Sequence, residues 1–473
     1  MSHLRWCCAA ALATVALGAA DRAARAQTCT LELKRLEATS GKDLRAGPEQ
    51  ERPYRSVSSQ SFTRQVGGGY PPDAEAEFRR IVKKEPAKYV SQEPFRSVAR
   101  LGTGRFAFVL DAKDEKSKGY DRLYFDLNGS GDLTDDKPID AVADRSPRAV
   151  GQPGYTYHQF PRADLSIPVE GKRLEYSFRF SANSYASANY RSVSAYLLAA
   201  AYRVGEITLE GEKHNVALLD YNSNGRFDDQ IAIEAGVQLP GGRIYARGDM
   251  VLVDPAKVVP SNEAGFAYGN QYRQHLSKLL RIGDKFYDVK VSPTGDRLTL
   301  TPSKLKVGYL SNPSGPSSAV IFGDHGFLPI RFQQDGPTAV PEGQWKLLSY
   351  RIVISGWKPP PDKKEEPKPG QKDADKERLC EVTAFGTDKG AAVTVRAGKT
   401  ATMPFGPPYK PVVEANVGRW EGGAEVKLSM SLVGCGGEAV DDLMIDGHRP
   451  PKPEIIIRDP EGQIVEKGSL EYG

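Results

Sequence analysis

The chain has 473 residues, of which 39% are hydrophobic, 26% charged and 9% aromatic. That composition excludes global disorder and collagen-like repetition, and the length allows roughly three domains at about 150 residues each. A formal charge of +4 is too small to give an electrostatic reason for a nucleic-acid partner.

Residues 1–26 read as an export signal. Arg5 supplies the basic start, residues 6–20 (WCCAAALATVALGAA) an uncharged apolar run, and Ala24-Arg25-Ala26 a small-x-small cleavage site. Cleavage would remove Arg5, Arg22, Arg25 and Asp21 and leave +2 on the mature chain. The apolar run is shorter than the roughly 20 residues of a permanent anchor, and Val193 to Tyr202 is shorter again. No transmembrane helix is expected, and no Leu-small-small pattern precedes Cys29 to direct lipid anchoring. The expected location is periplasmic or secreted. The mature chain keeps Cys29, Cys380 and Cys435. Either Cys380 pairs with Cys435, both lying in the C-terminal β-rich part, or all three stay unpaired.

Gly (47) and Pro (34) together reach about 17% against a usual total near 12%, which points to many turns and short strands. Residues 27–72 offer only one short strand, Leu31 to Leu36. Asp73 can cap a short helix running to Lys84, with Ala76, Phe78, Ile81 and Val82 on one side and Pro86 as its stop. Phe106, Phe108 and Leu110 then alternate, a charged turn follows, and Leu123-Tyr124-Phe125 returns: a hairpin. A second hairpin runs from Ile207 and Leu209 through Glu210-Gly211-Glu212 to Val216–Leu219. Leu276, Leu279 and Leu280, with Tyr272, share one face of a helix expected over Asn270 to Leu280. Phe286–Val291 with Leu298–Leu300, and Glu454–Ile457 with Gln463–Glu466, read as further hairpins.

Residues 358–378 (KPPPDKKEEPKPGQKDADKER) contain almost nothing to bury and read as disordered. They are either an interdomain linker or a long insertion at the tip of a hairpin formed by Leu347–Ile354 and Cys380–Ala384. The insertion is the favoured reading, because loop-closure cost grows slowly with length.

Two segments carry chemistry. The first is Asp126-Leu-Asn128-Gly-Ser130-Gly131-Asp132-Leu133-Thr134-Asp135-Asp136. The second is Asp220-Tyr-Asn222-Ser-Asn224-Gly225-Arg226-Phe227-Asp228-Asp229. They share Asp, Asn, Gly, an apolar residue and Asp at relative positions 1, 3, 6, 8 and 10, and each follows the closing strand of a hairpin. This is an internal repeat of a hairpin-plus-loop unit. A hard cation such as Ca²⁺ takes six to eight oxygens from a backbone that curls around it. Side chains at positions 1, 3 and 5 point inward, glycine at 6 permits the turn, position 7 offers its carbonyl, and the apolar residue at 8 ties the loop to the core. Asp126, Asn128, Ser130 and the carbonyl of Asp132 fill those roles in one loop. Asp220, Asn222, Asn224 and the carbonyl of Arg226 fill them in the other.

The pattern resembles the calcium loop of EF-hand proteins and dockerins over about ten residues in each place. It departs at position 12, where Lys137 and Ile231 replace the bidentate Glu, so Asp135 or Asp136 and Asp228 or Asp229 must complete coordination. Strands precede both loops and Pro138 forbids an ordinary exiting helix, so a structural strand–loop–strand site is expected. With neutral ligands and no position-12 Glu, affinity should be weak, on the order of 10⁻⁴–10⁻³ M. Four carboxylates against three, the latter offset by Arg226, make the first loop the stronger expected binder.

No catalytic motif is found. The six histidines have no zinc spacing, Asp324-His325 is the only adjacent acid–histidine pair, and no nucleophile elbow or phosphate loop is present. The fold class expected is mainly β and multi-domain, with hairpins bearing calcium-type loops followed by β-sandwich-like modules and few short helices. Its parts are a signal peptide (1–26), a β-rich domain with both loops (27–255), a sandwich-like module (256–410) and a C-terminal β-module (411–473). The Val340–Trp345 turn and the terminal hairpin are similar to transthyretin- or immunoglobulin-like modules of bacterial surface proteins. The functional expectation is an exported calcium-binding protein with a structural or binding role and a cell-envelope or glycan partner. A secreted hydrolase acting on polysaccharide or peptide, and a lectin-like adhesion protein, are the alternatives.

Overall fold

A computed structural model of the chain describes residues 25–37, 49–55, 58–65, 72–142, 154–187, 191–234, 244, 246–257, 271–334, 336–357, 378–420 and 423–471. The export segment lies outside them except for Arg25 and Ala26. Among the described residues the fold is mainly β, in several antiparallel sheets with one α-helix, Pro72–Ile81. No helix there is long and apolar enough to cross a membrane.

The first hairpin, Gly104–Asp111 with Arg122–Phe125, forms a four-stranded sheet with Phe95–Leu101 and Ile139–Asp140. Period-two alternation divides its side chains between two cores. Phe106, Phe108, Leu110 and Phe125 face the long hairpin Tyr155–Val169 and Lys172–Ala186, where Phe108 lies 5.0 Å from Phe180 and Phe125 4.7 Å from Phe178 between ring centroids. Val98, Ala107 and Val109 point the other way and are covered by Phe78 of the helix and Leu133 of the first acidic loop.

That helix ends at Ile81 rather than continuing to Lys84. The amides of Lys83 and Lys84 both turn to the carbonyl of Gly131, at 2.8 and 3.3 Å, so a loop contact replaces the next helical turn. Glu77 pins the helix to the sheet through Arg100, at 2.9 Å, and Arg105. The Arg100 hydrogen bond holds the Glu77 carboxyl below its usual range. A lowered folded value means the contribution is complete above the unfolded pKa of about 4.3 and disappears as pH falls through the folded one. Glu77→Gln should therefore cost about 1 kcal/mol at pH 7 and nothing at pH 2, read from urea denaturation at both pH values.

The second hairpin, Ala201–Leu209 with Glu212–Leu219, turns through Glu210 and Gly211, whose φ angles of 53° and 91° suit a two-residue hairpin. It centres a five-stranded sheet with Met250–Val253, Arg273–His275 and Glu32–Arg35. The sequence missed two strands near the start. Gln27–Thr30 pairs with Arg297–Pro302, and Gln60–Gln65 with Arg191–Ala199. Each is recruited by a partner more than 100 residues away.

One core runs from Cys29 to Leu300, and a second from Leu279 to Phe405 with Leu443 packed against it. The expected limits at 255/256 and 410/411 fall inside these cores. Of the helix expected over Asn270–Leu280, the described residues from Gln271 onward form instead two strands, Arg273–His275 and Leu279–Ile282. Leu280 is buried in the first core and Leu279 in the second. Neighbouring leucines serving opposite sides are a strand pattern, and the apparent helical face was coincidental.

The strands Gly343–Trp357 and Arg378–Phe385 pair antiparallel, with Trp357 opposite Arg378. The charged run thus leaves and returns at one hairpin end, as the insertion reading requires. Residues 358–377 themselves lie outside the described set. Cys29, Cys380 and Cys435 are all free thiols. Cys380 sits opposite Ile445, while Cys435 lies in the turn beyond the Phe385–Ala439 pair.

Candidate calcium loops

The two acidic segments fold alike. In the first, Asp126 accepts the amides of Ser130 and Gly131 at 2.9 and 3.0 Å. In the second, Asp220 accepts those of Asn224 and Gly225 at 3.1 and 2.6 Å. The position-3 amide oxygen takes the position-5 N–H in both, Asn128 at 2.8 Å and Asn222 at 3.3 Å. The position-5 side chain takes the position-7 N–H in both, Ser130 at 2.9 Å and Asn224 at 2.8 Å. Gly131 and Gly225 have φ of 80° and 77°, a conformation that favours glycine. Leu133 and Phe227 at position 8 are buried. Five matching letters in the sequence thus correspond to four matching hydrogen bonds.

The loops differ in how the position-2 amide is held. Asp136 takes the Leu127 N–H at 2.8 Å in the first. The second loop has Gln230 at the corresponding place. There the Tyr221 N–H goes to Asp249, at 3.0 Å, and the other Asp249 oxygen accepts the Asp229 N–H at 2.9 Å. Asp249 is the carboxylate of this loop that has no counterpart in the sequence pattern. The absence of an acid at position 11 was its only local trace, since Asp249 arrives from the start of Met250–Val253.

Electrostatics single out the same carboxylates. Burial raises the Asp126 pKa, against its backbone hydrogen bonds, and repulsion from Asp136 adds to the rise. Burial likewise raises Asp136. In the second loop, burial pushes Asp220 up, opposed by the Tyr176 hydroxyl at 2.6 Å and assisted by Asp229. Asp249 is pushed up by burial and then by the charges of Asp220 and Asp229. No basic side chain figures among the dominant influences on these four acids.

The remaining acids behave differently. Asp132 is engaged by Thr134 and Lys84, which lower its pKa, with Thr134 the larger influence. Asp228 is held by Arg226 through two contacts of 2.9 Å, and Arg226 also reaches Glu170 at 2.8 Å. Arg226 therefore offsets Asp228 and Glu170, not the loop interior. Asp135 accepts the Ser130 hydroxyl at 2.9 Å. Asp229 receives the side-chain amides of Asn222 and Asn224 at 2.8 and 2.5 Å. Two amide hydrogens thus stand where positive charge is wanted.

The second loop is also a junction. Its Asn224 carbonyl accepts the Gly102 N–H at 2.6 Å, and its Phe227 N–H donates to Pro293 at 3.1 Å. The Ser223 hydroxyl accepts from the Ala199 amide and donates to the Ser58 carbonyl, each at 2.9 Å. Ser223 has a left-handed φ of 59°, and these two bonds hold it there. One loop thus fastens its own sheet to three others.

Among the described residues no three His, Cys, Asp or Glu side chains are grouped so as to hold a metal ion by themselves. The donor set is instead mixed, with carboxylate, amide, hydroxyl and carbonyl oxygens, which suits a hard cation. The Asp324-His325 pair is occupied by a turn. His325 Nε2 meets the Glu342 carbonyl at 2.8 Å and Asp324 accepts the Gln344 N–H at 2.9 Å. No known protein family, curated protein or solved structure matches the chain.

Proposed function

We propose that the chain is an exported β-rich protein whose two acidic loops each hold a calcium ion, with a structural or binding role outside the cytoplasm. The observation that carries this reading is the repeated loop geometry around buried acids with no basic partner. Carboxylates buried without a positive partner are costly even when hydrogen-bonded, and a bound cation relieves that cost. Asp126, Asn128, Ser130 and Asp136 would hold the ion in the first loop, with Asp135 and the Asp132 carbonyl in reach. Asp220, Asn222, Asn224 and Asp229 would hold it in the second, with the Arg226 carbonyl and Asp249. The ion supplies positive charge where these acids repel one another, and the second loop would transmit the gain to the sheets it joins.

Each loop retains three acids once Asp132 and Asp228 are committed to bases or hydroxyls, so the carboxylate count no longer favours the first. The second loop is the more buried and its acids crowd more closely, and it should bind more tightly. Calorimetric calcium titration of the parent, Asp126→Ala and Asp220→Ala chains tests this. Two sites are expected, each variant losing one, with the tighter site lost in Asp220→Ala. No heat in the parent at millimolar calcium would remove the proposal.

A further inference from the structure

A cleft of about 930 Å³ opens at one end of the interface between the first-hairpin sheet and the long-hairpin sheet. Its volume lies within the range of small-molecule sites. Both walls are fixed. The connection between Asp111 and Arg122 lies so close to the opposite sheet that a side-chain carbon on Gly119 would collide with Thr156. His158 Nε2 donates to the Lys118 carbonyl at 2.7 Å, and the Tyr120 hydroxyl donates to the Glu93 carbonyl at 2.7 Å. A cleft held this way loses little entropy on binding.

Its chemistry is polar with no excess of either charge. Arg64, Lys118 and Arg191 are balanced by Glu93, Asp114 and Glu115. Several of these are already spent on the protein. Arg191 faces Glu93 at 3.8 Å, beyond hydrogen-bond distance. Arg64 Nη2 bonds the Glu93 carbonyl and the Tyr120 hydroxyl at 3.1 and 3.0 Å, while its guanidinium lies 5.6 Å from the Phe95 ring centre. Asp114 accepts the Lys116 amide at 2.8 Å. Neither a strong anion nor a strong cation is selected.

Aliphatic lining is confined to small groups such as Val90, Ala112 and Val193, and the remaining apolar surface comes from tyrosine rings. Hydroxyls are dense. Ser117, Thr156, Ser184 and Ser192 line the cleft with three tyrosines; the Thr156 and Ser184 hydroxyls bond each other at 2.6 Å, Ser117 donates to Asp121 at 2.8 Å, and Tyr155 and Tyr185 are direct partners across their strands. A tyrosine offers both an apolar ring and a polar tip. We infer that this cleft binds a short neutral oligosaccharide, whose hydroxyls and C–H faces match that combination. The inference names a ligand class for the binding role and uses none of the calcium-loop residues.

The test is calorimetric titration of the full mature chain with cellotetraose, maltotetraose, xylotetraose and chitotetraose, with sodium sulfate and citrate as anionic comparisons. At least one saccharide should bind in a one-to-one ratio with micromolar to millimolar affinity. Arg191→Ala, at a rim position whose side chain is 63% exposed, should keep the fold and weaken binding about tenfold, as loss of a charged hydrogen bond does. Ser192→Ala, which removes one hydroxyl from the cleft lining, provides a second variant with the same expectation. Binding of none of the four sugars, tighter binding of sulfate or citrate, or sugar affinity unchanged in both variants would overturn the inference. Repeating the titration with Asp126→Ala and Asp220→Ala separates the two proposals. Sugar binding that survives there stands whatever the fate of the calcium reading.

Discussion

Calcium at 10 mM is expected to raise the unfolding free energy by about 1.4–2.7 kcal/mol for each loop it fills. The figure follows from mass action for dissociation constants of about 10⁻³ to 10⁻⁴ M, if the unfolded chain does not bind the ion. A shift of several degrees in melting temperature should accompany it, and excess EDTA should reverse it. Asp126→Ala and Asp220→Ala should each abolish one loop's share and leave the other. Magnesium should substitute poorly, because it keeps its water shell and demands stricter geometry. An unfolding temperature that does not respond to calcium in the parent chain would count against filled loops. The Asp220 share should also spread further, since the second loop fastens several sheets while the first is held mainly by Lys83 and Lys84.

Phe227→Ala should be the most damaging single truncation within either loop. The ring is fully buried at position 8, with Arg203 lying 5.9 Å from its centre. Gly295, in the turn beside Pro293, approaches so closely that any side chain there would strike the ring. Arg203 in turn donates to the Thr294 carbonyl at 2.9 Å and the Leu31 carbonyl at 3.2 Å. Removing a buried phenyl group typically costs 3–5 kcal/mol, from lost transfer energy and the cavity left behind. Here the second loop would lose its anchor as well. Urea denaturation should show that loss, and calorimetry should show calcium binding retained only at the first loop. The corresponding Leu133→Ala should cost less, about 2–3 kcal/mol, since that residue belongs to a small satellite core.

Local pattern was enough for the hairpins. Phe106–Leu110 with Leu123–Phe125, and Ile207–Leu209 with Val216–Leu219, carry both the alternation and the turn residues that define a strand pair. The same holds for the two loops, because position-1 Asp, position-6 Gly and the apolar position 8 act within a single stretch of backbone. Sequence failed where the deciding partner was remote. Gln60–Gln65 has no strong strand signal and becomes one by pairing with Arg191–Ala199. Leu276, Leu279 and Leu280 fit a helical stripe, yet Leu279 and Leu280 face different cores.

Asp249 shows the limit most clearly. Nothing near it in the chain resembles a ligand, and it meets the second loop only because Met250–Val253 pairs with Glu212–Leu219. The cleft between the two sheets was likewise invisible, being lined by residues from six separate stretches of chain. The β class, the hairpins and the internal wiring of each loop were legible in local spacing, since all depend on contacts between near neighbours. Tertiary structure alone decided which acids lose their water, which are neutralised by arginine or lysine, and which sheets a loop ties together. Burial and charge pairing are properties of where distant segments meet, and no local spacing encodes them.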